Sequence, residues 1–216
     1  NNSLDTTRSF LQESSHVIIT LGTAWGYILN QDERLVANCH KVAQSNFTKK
    51  IFSSEEIKKS LAEICNIIWK LNKDVKIIFT VSPVRHLKDG FVENQLSKAN
   101  LITALHEYRK ELKLKFDKKT KYFPSYEIVM DELRDYRFYD KDMIHLSEIG
   151  IDYIWGRFKE SWIGPEVFSI MKEVNSIQKG LEHRPFNEDS PQHREFLEKL
   201  SLRIEKLQVK IPSVKF

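Results

Sequence analysis

The chain has 216 residues, and its 34 lysine and arginine residues against 30 aspartate and glutamate residues give a net charge of +4 at pH 7. Hydrophobic residues make up 41% and charged residues 30% of the sequence, which excludes a disordered chain and is typical of one large globular domain, with or without an appendage. The basic residues lie beside acidic ones and form no concentrated patch, so we expect no nucleic-acid partner.

Cys39 and Cys65 are the only cysteines, and two thiols in unrelated contexts indicate neither a disulfide framework nor a metal site. We therefore expect no metal and no cofactor. The absence of a membrane-spanning apolar stretch and of a signal peptide predicts no membrane partner and a cytoplasmic location. The chain begins at Asn1 without an initiator Met, and its first five residues resemble the middle of a loop, which indicates a fragment, a processed form or a trimmed chain.

Strands and helices alternate along the first three quarters of the chain. Apolar and β-branched runs predict parallel strands at Val17–Leu21 and Lys76–Val81, and a poorer third strand at Lys121–Ile128. Helical spacing of apolar residues predicts helices at Glu55–Leu71, Gln95–Phe116 and Ile149–Trp162. The first of these helices follows from the stretch Ser53–Glu56, which has the features of a helix start: an N-cap serine and early acidic residues.

Strands separated by full helices form right-handed crossover units, so the expected fold is an α/β three-layer sandwich with a parallel sheet. The C-terminal part differs, because helices are predicted at Glu166–Gly180 and Gln192–Lys210 without intervening strands. The second of these helices carries an apolar stripe of Phe196, Leu200, Ile204 and Leu207. We predict an α/β domain at residues 1–163 and a C-terminal helical extension at residues 164–216 that packs on it.

The most informative motif is Asp142-Met-Ile-His145. A carboxylate three residues before an imidazole can bind its Nδ1, fix the tautomer and leave Nε2 free as a general base. The alternative is that His145 only caps or orients the helix that follows it. No nucleophile on a tight turn is visible in this sequence.

Two loops at the ends of the predicted strands supply further candidates. Gly22 and Thr23 follow the first strand, and Ser82, Arg85 and His86 follow the second. Because the carboxyl ends of parallel strands converge on one crevice, these residues are candidates for oxyanion or substrate binding. The alternatives are a tight turn at Ser82 and structural pairing of Arg85 and His86.

Several blocks of the sequence, in order along nearly the whole chain, resemble the GSCFA family of the SGNH/GDSL-like hydrolase superfamily. These blocks are Ile18–Trp25, Val36–Lys41, Thr80–Gly90, Tyr122–Ile128, Asp131–Tyr139 and His183–Phe186. The resemblance implies a flavodoxin-like sandwich of the SGNH hydrolase type. It also implies that Asp142 and His145 are the terminal D-x-x-H pair, in which Asp orients His and His activates a serine.

Other positions of the site follow from the same resemblance. Ala24 stands where the wider superfamily has the asparagine of G-x-N-D, which contributes to the oxyanion hole, and Asn38 is a candidate to supply that amide. Asn38 and His40 are equally explained as residues that tie down a loop. Cys39 is better explained as a packed side chain than as a nucleophile, which would need His145 as its base.

The family's serine lies in a Gly-Ser-Cys-Phe-Ala segment on an earlier strand, and the present sequence contains neither. We therefore expect an unpaired sheet edge beside the first strand, covered by an upstream segment or by a neighbouring chain, so a homo-oligomer is one expectation. The leading functional hypothesis is a serine ester hydrolase that removes acetyl-like O-acyl groups from a small molecule or carbohydrate. The alternatives are an inactive SGNH-like domain that binds a glycan or a protein, and an acyltransferase.

Overall fold

The structure is a computed structural model that describes residues 2–36, 38–39, 41–113 and 119–216. Its strands are β1 (His16–Leu21), β2 (Trp25–Leu29), β3 (Arg34–Val36), β4 (Phe47–Ile51), β5 (Lys76–Val81) and β6 (Thr120–Phe123). Its helices are α1 (Asn2–Glu13), α2 (Ser54–Leu71), α3 (Phe91–Lys113), α4 (Ser125–Glu127), α5 (Glu148–Trp162), α6 (Phe168–Leu181) and α7 (Pro191–Lys210).

A parallel three-stranded sheet forms the centre of the α/β part of the chain, in the strand order β1-β5-β6. The register pairs His16 with Lys76 at one end of β1 and Leu21 with Val81 at the other. All residues of β5 after Lys76 are buried, and this central strand pairs with β1 on one side and with β6 on the other. The prediction of an α/β fold with a parallel sheet is confirmed.

The main core lies between one face of this sheet and the helices α2 and α3. The face carries alternate residues such as Ile19 and Phe79, which are register partners and so point to the same side. Helix α2 buries Ile57, Leu61, Cys65 and Ile68 against it, at helical spacing. The predicted N-cap is also confirmed, because Ser53 and Glu56 form a reciprocal capping box.

The opposite face of the sheet is only partly covered. Ile18 and Ile78 are register partners on this face, yet Ile18 is 53% exposed and Ile78 is 3% exposed. Within the described ranges, β1 pairs only with β5, so its outer edge has no strand beside it. The carboxyl end of β1 therefore adjoins an open face and an open edge.

Two predicted boundaries are wrong for local reasons. Strand β6 ends at Phe123, not at Ile128, because Pro124 has no N–H for the ladder and the chain turns into α4. Helix α3 begins at Phe91, four residues before the predicted start, because Gly90 adopts a positive φ of 94° and its carbonyl accepts the N–H of Asn94. The predicted end of α3 at Phe116 lies outside the described residues.

One further element differs from expectation, and a second sheet completes the first part of the chain. Residues 2–13 form helix α1, although the first residues were interpreted as loop. The segment between β1 and α2 folds as a small antiparallel sheet in the order β3-β2-β4. Its tight packing depends on Gly26, where an added Cβ would lie 2.6 Å from a ring carbon of Phe52.

The chain divides into two compact units, Asn1–Trp155 and Gly156–Phe216. The second unit has its own small core, in which Ile177 of α6 and Leu200 and Leu207 of α7 are buried. Leu200 and Leu207 belong to the predicted apolar stripe, whereas Phe196 is partly exposed. The boundary predicted between residues 163 and 164, and the packing of the extension on the domain, remain predictions.

No helix among the described residues combines the length and the apolar composition needed to cross a membrane. The longest helix, α3, carries charged side chains such as Glu93, Lys98 and Arg109. The cytoplasmic location remains a prediction.

Candidate functional site

The D-x-x-H motif forms a tight turn closed by its own carboxylate. Oδ1 of Asp142 accepts the backbone N–H groups of Ile144 and His145 at 2.8 and 2.9 Å, and Oδ2 lies 2.6 Å from Nδ1 of His145. The backbone around the turn is paired as well, because the N–H of Asp140 donates to the carbonyl of His145 at 2.9 Å. One carboxylate therefore builds the turn and orients the ring.

The pair is accessible to a ligand. The side chains of His145 and Asp142 are 64% and 45% exposed, and Nε2 of His145 has no hydrogen-bond partner among the described residues. Hydrogen bonds from His145 and from the two backbone N–H groups lower the pKa of Asp142 to about 2. Asp142 is consequently ionised at neutral pH and acts as acceptor for the ring N–H.

Arg85 joins the loop after β5 to the D-x-x-H turn. Its Nη2 donates a hydrogen bond to the carbonyl of Met143, and its guanidinium carbon lies 5.1 Å from the ring centroid of Tyr139. Met143 has a positive φ of 57°, which is uncommon for a long side chain. Arg85 thus makes the structural pairing that was the alternative to substrate contact, and it fixes the residue next to Asp142.

The loops after β1 and β5 are joined by a buried lysine. Nζ of Lys98, on α3, donates to the carbonyl of Gly22 at 2.6 Å and to the carbonyl of Ser82 at 2.7 Å. Lys98 is 1% exposed. Since Gly22 and Ser82 each directly follow a strand, this ammonium group holds the carboxyl ends of β1 and β5 together.

Two more side chains of the same helical turn bind the same loops. Oγ of Ser97 accepts the N–H of Ala24 at 2.7 Å and lies 3.1 Å from the hydroxyl of Thr23. Oδ1 of Asn94 accepts the N–H of His86 at 2.9 Å. Asn94 and Ser97 both lie inside α3, and their side chains bind the loops that follow β1 and β5.

Burial lowers the pKa values of two side chains beside the loops that follow β1 and β5. Desolvation lowers the pKa of Lys98 from 10.5 to about 8, because no carboxylate among the described residues pairs with it. Partial desolvation, and then the positive charge of Lys98, lower the pKa of His86 from its usual value. His86 lies close to the first loop, since a Cβ on Gly22 would be 3.9 Å from its Nε2.

An open, mainly apolar groove of about 730 Å³ adjoins the carboxyl end of β1. Leu21, Thr23 and Trp25 line it on the strand side, and Ile57 and Ile64 of α2 line it on the helix side. A ligand can therefore reach Thr23 through the groove as well as from the side of the loops that follow β1 and β5.

The structure brings together most, but not all, of the predicted site residues. Contacts link Gly22, Thr23, Ser82 and His86 through α3, and link Arg85 to the D-x-x-H turn. Asn38 is exposed beyond β3, and Cys39 is a half-buried free thiol. His40 lies outside the described residues. The convergence of Asn38 and Thr23 with His145 remains a prediction.

Sequence reasoning missed the role of one polar turn on α3. Asn94, Ser97 and Lys98 are spaced at i, i+3 and i+4 and continue the buried stripe of Leu101 and Leu105. Polar residues on the apolar stripe of a helix are the signal that could have found them, because buried polar groups need partners. No group of three or more His, Cys, Asp or Glu residues in the described ranges is placed to hold a metal ion.

The fold and the turn define an α/β protein with a D-x-x-H pair beside the carboxyl ends of a parallel sheet. Two family models match the chain: the GSCFA family over residues 1–158, and the C-terminal domain of GSCFA domain proteins over residues 174–216. The chain belongs to the GSCFA family, as its motifs predicted. No curated protein and no solved structure matches it.

Proposed function

We propose that the chain carries the acid–base part of an SGNH-type serine ester hydrolase that removes acetyl-like O-acyl groups, with a carbohydrate as the acyl carrier. The observation that carries the proposal is the contact between Oδ2 of Asp142 and Nδ1 of His145, at 2.6 Å. It leaves Nε2 of an exposed ring available for proton transfer. Membership of the GSCFA family supports the same assignment.

In the proposed reaction, Nε2 of His145 takes the proton of a serine hydroxyl while the serine oxygen attacks the ester carbonyl. Asp142 stabilises the imidazolium that forms. The tetrahedral intermediate then collapses, and His145 gives its proton to the departing alcohol. In the second half-reaction, His145 activates a water molecule that releases the acyl group and regenerates the serine.

The proposal requires a serine from a Gly-Ser-Cys-Phe-Ala segment upstream of the present sequence. The free outer edge of β1 and the exposed side chain of Ile18 support a place for this segment, because a strand there would pair with β1 and cover the open face. Such a strand would end near Gly22 and Thr23. Its serine would then lie at the carboxyl end of the sheet, where the other candidate site residues lie.

The test is the activity of the full-length gene product on an aryl acetate and its labelling by a fluorophosphonate. The wild type should turn over the ester and be labelled, whereas His145→Ala should lose about 10²- to 10⁴-fold in kcat. His16→Ala is the matched control, because His16 is an exposed histidine at the opposite end of β1. Full activity of His145→Ala would disprove the residue assignment.

The same experiment distinguishes the alternatives. A full-length protein without turnover and without labelling would favour an inactive SGNH-like domain that binds a glycan or a protein. A labelled protein that transfers the acyl group to an added sugar faster than to water would be an acyltransferase. The hydrolase and the acyltransferase differ in the acyl acceptor, the inactive domain has no turnover, and the fold is the same for all three.

A further inference from the structure

We infer that Lys98 is a positioning residue that turns the Gly22–Thr23 peptide outward and makes the Thr23 N–H a donor of the oxyanion site. This inference rests on the proposed ester hydrolysis, because the oxyanion is that of its tetrahedral intermediate. In the wider superfamily, an asparagine amide at the position of Ala24 contributes to the oxyanion hole. Ala24 has no such group, and the inference assigns the Thr23 N–H as a donor in its place.

The direction of the peptide follows from the contacts of Lys98. The Gly22 carbonyl points to Nζ of Lys98, which is buried under the loop. The Gly22–Thr23 peptide is trans, and in a trans peptide the C=O and the N–H point in opposite directions. The Thr23 N–H therefore points away from α3, toward the open side of the loop.

The next two N–H groups along the chain are already used. The N–H of Ala24 donates to Oγ of Ser97, and the N–H of Trp25 donates to the hydroxyl of Thr23. In the part of the chain that the structure describes, the Thr23 N–H has no such acceptor. It is thus a backbone donor that this turn leaves for a ligand.

The charge of Lys98 has a consequence that a neutral donor would not have. A cation on a carbonyl oxygen draws electron density through the peptide and strengthens its N–H as a donor. The same cation binds the Ser82 carbonyl, but the following residue, Pro83, has no N–H. Only the Gly22–Thr23 peptide can therefore turn this polarisation into a stronger hydrogen bond.

A purely structural link between the loops would not need a charge. Two N–H donors of a neutral amide could bind both carbonyls, whereas a buried ammonium group without a carboxylate partner costs free energy. In the proposed reaction Lys98 keeps its proton throughout, and the serine proton passes to His145. The Thr23 N–H binds the oxyanion while the charge exists and releases it when the carbonyl re-forms.

The first test uses the present chain and needs no activity. The backbone nitrogen shift of Thr23 is followed by ¹³C-detected NMR between pH 7 and 10, because an unpaired amide proton exchanges with water too quickly in this range to be observed. This shift should change with a midpoint of about 8, the pKa of Lys98. His86 is the titratable group with a direct electrostatic interaction with Lys98, and Asp89 and Lys49 act on His86 in turn. The pKa of His86 is lowered from 6.5, so its own titration lies below this window.

Three variants separate charge from structure. Lys98→Gln keeps two N–H donors but removes the charge, Lys98→Met removes both, and Lys110→Met changes an exposed lysine of the same helix. We expect the pH step of Thr23 in the wild type and in Lys110→Met, and its loss in Lys98→Gln and Lys98→Met. A step that persists in Lys98→Gln, or no step in the wild type, would overturn the inference.

The second test uses the full-length protein. Lys98→Gln should lower kcat on an aryl acetate by about 10²-fold with little change in KM, because the oxyanion exists only along the reaction path. If the full-length protein is inactive and unlabelled while the Thr23 step is present, the hydrolase proposal fails and the orienting role of Lys98 stands. If the protein is active and Lys98→Gln has the kcat of the wild type, the hydrolase proposal stands and the inference on Lys98 is wrong.

Discussion

Asp142 holds His145 at two points at once: Oδ2 of the carboxylate lies 2.6 Å from Nδ1 of the ring, and Oδ1 accepts the backbone N–H at 2.9 Å. The position of the ring and the course of its backbone therefore depend on one side chain. The two contacts can be separated by mutation, because an amide oxygen can replace Oδ1 but an amide NH₂ cannot replace Oδ2 as an acceptor.

The first prediction uses this difference. Asp142→Asn should keep the turn, because its amide oxygen can still accept the N–H groups of Ile144 and His145, but it should remove the acceptor for Nδ1–H. The neutral ring should then carry its proton on Nε2, and kcat of the full-length protein should fall by about 10²- to 10⁴-fold. Ring ¹⁵N NMR reports the tautomer. Asp142→Ala should lose both contacts, and a wild-type tautomer in Asp142→Asn would contradict this account.

The second prediction concerns the pH dependence of stability. The pKa of Lys98 is about 8 in the folded protein against 10.5 for the unperturbed group, so the unfolded chain binds more protons between these values. The contribution of Lys98 to the free energy of unfolding should therefore rise with pH over that interval. The rise should reach up to about 3 kcal/mol, since one pKa unit corresponds to about 1.4 kcal/mol. Urea unfolding at pH 7.5, 9 and 10.5 measures it as the difference between wild type and Lys98→Met. Lys110→Met should follow the wild type, and a constant difference would contradict the prediction.

The third prediction compares two register partners. Ile78→Ala should lower the free energy of unfolding by about 2–5 kcal/mol, because Ile78 is buried and the loss leaves a cavity. Ile18→Ala should cost less than about 1 kcal/mol in the present chain, because Ile18 is largely exposed. Urea unfolding of both variants checks the pair. Equal losses would mean that the outer face of β1 is covered in solution.

The fourth prediction concerns the thiols. Burial raises the pKa of Cys65 to about 11, although a hydrogen bond with Tyr108 lowers it slightly, whereas Cys39 is half-exposed. Because the thiolate is the reactive form, a disulfide reagent at pH 8 should modify one thiol per folded chain and two after unfolding. Cys39→Ser should abolish the reaction of the folded chain. Rapid modification of Cys65 in that variant would contradict its burial.

The sequence predicts those parts of this fold that local patterns specify. Strands β1 and β5 are continuous apolar runs, and helix α2 has a capping box and a regular apolar stripe, so each carries its signal within a few residues. Gly90 and Pro124 are also local signals, and their effects on α3 and β6 follow from ordinary backbone rules. The start of α3 and the end of β6 were predicted wrongly because the apolar pattern alone does not show where a glycine or a proline changes the backbone.

The lysine of the crevice could not be predicted in the same way. Lys98 binds carbonyl groups that lie 76 and 16 residues earlier in the chain, and only the packing of α3 against β1 and β5 brings them together. Main-chain carbonyls also leave no trace in the sequence, because every residue has one. The Asp142–His145 contact, by contrast, spans three residues and was predictable from spacing alone.

Strand β1 has two kinds of backbone amide, because one edge pairs with β5 and the other has no strand beside it among the described residues. In a parallel strand, the N–H and C=O of one residue point to the same side, and the bonds at Ser15 and Leu21 show that odd-numbered residues face β5. Val17, Ile19 and Leu21 should therefore exchange their amide hydrogens slowly, while His16, Ile18 and Thr20 exchange quickly. A ligand strand that completes the sheet would slow the second set and leave the first unchanged, so the isotope pattern of six residues can report occupancy of this edge.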